Sequence, residues 1–285
     1  MVYSHYDFKY IDAHVHFFPP QIFKAIWEFF EAPDEDGNVR GWPVNYQLPT
    51  ESLVQTLERM NVDYFTTLNY AHKRGVAEYI NDWVHDFASN CEKAIPFGSV
   101  WPEDDNRVDY IEKMFDEYNF LGVKIQPLVQ RFYFDDERLY KVYDMIQEKG
   151  KWLVLHAGTA PMRNEYVGYK HFMKFYERYP DMNIIIAHMG AFEYAKFFSL
   201  LEKHENIYLD TTMIYIPDNI FPERGTKRPK PEDLVSYQDR ILFGTDFPNI
   251  PYDYENSTKG LLEFDLPRGF YENVFYNNAK RLFKI

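Results

Sequence analysis

Short apolar runs alternate along the chain with longer stretches in which apolar residues recur every three or four positions. The short runs predict strands over residues 10–15, 62–68, 95–100, 122–126, 152–156, 183–188, 207–210 and 241–244. The longer stretches predict helices between them, over 51–60, 76–88, 105–118, 136–149, 169–179, 191–203 and 231–237. Leu53, Val54, Leu57 and Met60 show the helical spacing in the first of these, and Ile80, Val84 and Phe87 in the second. Pro231 suits a first helical turn, and Gly150 suits the residue just past a helix end. Eight strand–helix alternations in one chain predict an α/β fold, a closed parallel (β/α)₈ barrel. An open doubly wound sheet is the alternative. It has fewer strands, and its first strand often leads into a Gly-rich turn that is missing here.

Two segments break the rhythm. Residues 20–49 separate the first strand from its helix and hold Trp27, Phe29, Phe30, Trp42 and Tyr46. In a barrel this loop lies over the active face, so the segment is expected to form a small cap with at least one helix, over 21–31. Residues 211–230 form a second long loop on the same side. Residues 1–285 are read as one domain of 285 residues carrying this insertion.

Composition narrows the function. Aromatic residues make up 19% of the chain, which favours a packed globular protein over disorder. A net charge of −13 with no basic stripe disfavours nucleic acid and anionic membrane as partners. No apolar run approaches the ~20 residues of a membrane span. The lone Cys91 cannot form a disulfide within the chain. No basic segment followed by an apolar core opens the sequence, so the expected location is cytoplasmic.

The chemistry gathers at strand ends. The first predicted strand leads into His14-Val15-His16, the fifth ends at His156, the sixth at His188, and Asp246 follows the eighth. Residues two apart on a strand share a face, so His14 and His16 point together. In a parallel barrel all C-terminal strand ends lie on one rim, and these five residues would converge there. Burying that much polarity without a partner is costly. A divalent cation would satisfy it, because imidazole and carboxylate suit zinc with an open position for water.

At this point the chain resembles the amidohydrolase superfamily, and within it the amidohydrolase-related branch that includes aminocarboxymuconate-semialdehyde decarboxylase. The resemblance spans nearly the whole sequence. It rests on Ile11-Asp12-Ala13-His14-Val15-His16, Gly122-Val123-Lys124-Ile125, His156-Ala157-Gly158, Ala187-His188-Met189-Gly190, Leu242-Phe243-Gly244-Thr245-Asp246-Phe247-Pro248 and Asn278-Ala279-Lys280-Arg281-Leu282-Phe283.

The resemblance implies that His14, His16, His156 and Asp246 hold one divalent metal ion, zinc or alternatively manganese. It implies that Asp246 also takes a proton from the metal's water, and that His188 is a catalytic acid–base. In binuclear relatives the histidine at that position binds a second ion instead. Lys124 matches a lysine that binuclear relatives carboxylate; here an amine that binds Asp246 or substrate is expected. Gln126 stands where many relatives have His. Substrates on this branch are commonly carboxylates, so a cation should face the pocket: Arg163 first, then Arg40 and Arg224. The implied activity is metal-dependent hydrolysis of a small carboxylate-bearing ester, lactone or amide. Non-oxidative decarboxylation of an unsaturated or aromatic acid is the alternative. A catalytically silent metal- or ligand-binding barrel is the alternative of another class. A homodimer is also compatible, since oligomers are common among relatives and an arginine from a neighbouring subunit could complete the pocket.

Overall fold

A computed structural model describes residues 3–32, 42–161, 164–217, 220–221 and 225–285. Its strands are β1 (Tyr10–Asp12), β2 (Val62–Thr67), β3 (Ala94–Ser99), β4 (Gly122–Ile125), β5 (Trp152–Leu155), β6 (Asn183–Ile186), β7 (Ile207–Asp210) and β8 (Ile241–Leu242). They form one sheet in chain order, and every neighbouring pair is parallel. The sheet closes on itself at the rim. Val15 bridges Phe247, Asp246 donates its backbone N–H to the His14 carbonyl (2.9 Å), and His16 donates to the Phe247 carbonyl (2.8 Å).

The helices are α1 (Pro20–Glu31), α2 (Thr50–Arg59), α3 (Ala77–Ser89), α4 (Arg107–Asp116), α5 (Pro127–Gln130), α6 (Tyr140–Glu148), α7 (Tyr169–Arg178), α8 (Tyr194–Leu201), α9 (Pro231–Ser236), α10 (Asn256–Leu262), α11 (Arg268–Glu272) and α12 (Asn278–Phe283). Helical spacing puts Leu53, Thr56 and Leu57 of α2 on the buried side, and Ile80 and Val84 of α3 likewise. The strands are covered on both faces, which is why Leu153–Leu155 and Ile184–Ile186 read as continuous apolar runs. One core cluster fills the layer between strands and helices. A second, with Ile11, Phe97, Val154, Ile185, Leu242 and Phe283, fills the lumen. The barrel is therefore a packed core with its chemistry at one end. Among the described residues no helix is long and apolar enough to cross a membrane.

The cap segment enters on α1, as its spacing predicts. Its far end lies against the loop after β8: Trp42 donates its indole N–H to the Asn249 carbonyl (2.9 Å), Asn45 donates to the Ile250 carbonyl (2.9 Å), and the Tyr46 ring lies 4.9 Å from that of Phe247.

Candidate metal centre

The last residues of β1 are tied to the loop after β8 before any ligand is considered. Asp12 is fully buried. Its Oδ1 accepts the backbone N–H of His14 (3.1 Å), and its Oδ2 accepts the hydroxyls of Thr245 (2.6 Å) and Tyr254 (2.8 Å). Burial pushes this carboxyl up to about 7, against the pull of those donors.

Acceptors fix the imidazole tautomers. A carboxylate or a carbonyl can only accept, so the ring nitrogen facing it must carry the proton. His14 donates Nδ1–H to Asp210 Oδ2 (2.8 Å), and His16 donates Nδ1–H to the Leu68 carbonyl. Both therefore turn Nε2 to the same oxygen, Asp246 Oδ1, at 3.1 Å for His14 and 2.8 Å for His16. His188 donates Nδ1–H to the Thr212 carbonyl (3.1 Å), which leaves its Nε2 lone pair free as well. Lone pairs and an anionic oxygen converging on one point repel unless a proton or a metal ion lies between them. One ligand atom from each of His14, His188 and Asp246 falls within 4.8 Å of the others, so these three could hold a metal ion.

Backbone geometry delivers the groups. His188 (φ 55°) and Asp246 (φ 72°) both sit in the left-handed region, which non-glycine residues visit rarely. The chain turns there and leaves the strand direction, so β6 and β8 end earlier than the apolar runs imply. Asp210, at the end of β7, holds two ligand candidates together. It accepts from His14 with one oxygen and from the His188 backbone N–H (2.8 Å) with the other. A carboxylate behind a metal-binding imidazole fixes its orientation and raises its basicity. The sequence carried the signal for Asp210, since strand seven also closes on a potential ligand. Asp12 stands in the same short motif as His14 and His16.

Charges in the site are strongly coupled. Burial would raise the Asp246 carboxyl, but bonds to His14 and His16 hold it well below the usual range. The same contest leaves Asp210 depressed, through His14 and His188. Burial pushes His188 down to about 4 and lowers His16. His14 alone is raised: burial and Lys124 pull it down, and the Asp210 and Asp246 carboxylates more than offset them. Lys124 is wholly buried, and its Nζ has no hydrogen-bond partner among the described residues. Burial pushes its pKa down to about 8 against the pull of Asp210 and Asp246.

His156 stands beside His188, with ring centroids 4.7 Å apart, but both of its nitrogens are engaged. Nε2–H donates to the Ala160 carbonyl (2.7 Å), and Nδ1 accepts from the Gln126 amide (3.0 Å). It can ligate only after leaving the Ala160 carbonyl. Arg40, Arg163 and Arg224 lie outside the described residues. The walls near His16 are aromatic: the Phe18 ring lies 6.1 Å away and the Tyr70 ring 5.6 Å away.

A family model described as Amidohydrolase matches residues 11–285. No curated protein matches the chain significantly. Solved structures share the fold. One is a 5-carboxyvanillate decarboxylase from Sphingomonas paucimobilis, 14% identical, covering 97% of this chain and 99% of that one, with a TM-score of 0.68. Another is a dihydroxybenzoic acid decarboxylase from Polaromonas sp. JS666 with bound manganese and 2-nitroresorcinol. It is 16% identical, covers 97% of each chain and has a TM-score of 0.67. A third is a probable 2-pyrone-4,6-dicarboxylic acid hydrolase from Acinetobacter baumannii with citric acid bound, 14% identical, covering 98% of this chain and 100% of that one, TM-score 0.67.

Proposed function

This chain belongs to the amidohydrolase family, and on that premise we propose that it is a metal-dependent hydrolase of a small ester, lactone or amide that carries a carboxylate. The observation that carries the reading is that His14 and His16 both turn Nε2 to one oxygen of Asp246 at the barrel mouth, with His188 close beside them. The donor set fits a divalent cation, because fixed tautomers leave Nε2 lone pairs facing an ionised carboxylate. His14, His16, His156 and Asp246 would hold the ion, His156 by exchanging the Ala160 carbonyl for it. Zinc suits imidazole and carboxylate ligands; manganese, present in the Polaromonas neighbour, is the alternative. Bound there, the ion would polarise a substrate oxygen and bring the pKa of water to about 7.

The chain's own residues supply the rest. Asp246, kept ionised, orients the attacking water and takes its proton. His188 is anchored through Nδ1, so its free Nε2 can take over the proton that Asp246 collects from the water and pass it to the leaving group; such help is worth about 10²–10⁴ in rate. Lys124 faces the substrate's carboxylate.

Decarboxylation is the second reading, favoured by the decarboxylases among the structural neighbours. There the bond to the carboxyl carbon breaks, CO₂ leaves, and the carbon left with the electron pair takes a proton that His188 Nε2 relays from solvent water. The test is a parallel assay of the metal-loaded chain for CO₂ release and for hydrolysis, on unsaturated dicarboxylates and lactones. Hydrolysis without CO₂ is the expected result. CO₂ release without hydrolysis selects the second reading. Metal binding with neither activity leaves a ligand-binding barrel.

A further inference from the structure

The rim divides into two arcs. The ion candidates come from β1 and from β5 to β8. The arc from β2 to β4 carries polar side-chain atoms that have no hydrogen-bond partner among the described residues: the donors of Trp101 and Lys124, the Asn69 amide and the acceptor Gln126 Oε1. Tyr70, just past β2, packs edge-on against His16 and against Phe18, with ring centroids 5.6 Å and 5.4 Å apart. The charge of Asp246 reaches it, yet its hydroxyl makes no hydrogen bond among the described residues. Trp101, two residues past β3, buries its indole N–H without a partner, and Lys124 on β4 does the same with its Nζ.

Strand alternation puts the last two on the lumen side. A Cβ added at Gly98 would strike Met114 of α4, so Gly98 faces the helices, while Ser99 and Trp101 face inward. A Cβ at Gly122 would meet the Phe97 ring of the lumen core at 2.7 Å, so Gly122, Lys124 and Gln126 face inward too. Ser99 pairs with Lys124 in the sheet, which sets Trp101 beside Gln126 at the rim. The Trp101 ring leans on Phe132, 6.4 Å away.

Leaving a buried donor unpaired costs about 1–3 kcal/mol, and the arc carries two such donors, on Trp101 and Lys124, beside the half-buried Tyr70. All three are donors, so the partner they fit is an acceptor. With the ion candidates facing them, it would lie between the two arcs. We propose that Tyr70 Oη and Trp101 Nε1 form, with Lys124 Nζ, the subsite that binds the carboxylate of the substrate. This deepens the proposed function and rests on its acid-substrate reading. It assigns specificity to two residues that neither hold the ion nor transfer the proton. Two fixed neutral donors beside a buried amine would select a carboxylate over an uncharged carbonyl, because bonds to a charged acceptor are the stronger ones.

The test uses the zinc-loaded full chain and its Tyr70→Phe and Trp101→Phe variants. Each substitution keeps an aromatic ring in place and removes one donor. Calorimetry would measure binding of benzoate, phthalate and citrate, with benzamide as the uncharged control and zinc content checked for each protein. We expect the wild type to bind at least one acid more tightly than benzamide. Each variant should weaken that acid by about 10- to 100-fold, the range for a bond to a charged group, with benzamide binding and zinc content unchanged. Acid binding that is unaltered in both variants overturns the subsite and leaves the proposed function standing. Equal loss of acid and amide also overturns it, by showing a steric effect. Failure of the wild type to bind any of the acids removes the acid-substrate reading together with the subsite built on it.

Discussion

Asp210 shows how one residue can govern a site it does not enter. Its two oxygens set the His14 tautomer and the His188 backbone position. In Asp210→Asn the side chain keeps its shape, but its amide can donate, so His14 is no longer compelled to place its proton on Nδ1. We expect metal affinity to fall about 10- to 100-fold, the usual cost of losing the group behind a ligand. Competition with a chromophoric chelator measures this, and unchanged circular dichroism separates it from misfolding. His188 and His156 are told apart in the same way. With His188 as acid–base, His188→Asn should keep its metal and lose about 10²–10⁴ in turnover, while His156→Asn should lose metal. Elemental analysis giving the reverse pattern would make His188 the ligand and leave His156 on its Ala160 and Gln126 partners.

At the scale of elements, what burial dictates was legible in the sequence. Strands covered on both faces must be apolar throughout, so the runs at 152–156 and 183–188 located β5 and β6, and α1 matched its helical spacing. What long-range packing dictates was not. The runs suggested strands continuing to His188 and to Gly244, yet β6 stops at Ile186 and β8 at Leu242. The left-handed turns at His188 and Asp246 are imposed by the neighbouring strands and have no local signature. The short helices α10 to α12, which complete the chain after β8, were likewise unread, apart from a family-like tail. The same closeness makes β8 sensitive. A Cβ at Gly244 would press on Thr212 Oγ1 and lie 2.7 Å from His14 Cβ. Gly244→Ala should therefore cost about 1–3 kcal/mol, as overpacking does, and move His14 away from Asp246. Thermal melts should show a drop of several degrees, and metal titration a weaker site, although position 244 offers no ligand.

The whole molecule carries this site as a store of stability that depends on pH and metal. His188 has its pKa lowered to about 4, and His16 and His156 are lowered as well. A histidine depressed in the fold contributes stability that is complete above its unfolded value of about 6.5 and is lost as pH falls through the folded value. Asp210 and Asp246, also depressed, extend that loss below about 3.9. Two groups act the other way. Asp12, raised to about 7, contributes stability below about 3.9 that is lost as pH rises through 7, and the raised His14 loses its contribution above its folded value. Three depressed histidines outweigh these two, so the chelated protein should melt at progressively lower temperature from pH 7 to pH 4.5. Zinc adds a separate increment: at 100 times its dissociation constant it stabilises by about 2.7 kcal/mol, roughly 5–10 °C for a chain of this size. Because the ligand imidazoles must be neutral to bind, that gap should close over the same interval. Melting curves with zinc and with chelator, at half-unit steps of pH, test both slopes together. A gap that stays constant down to pH 4.5 would mean that the ion is held without these histidines.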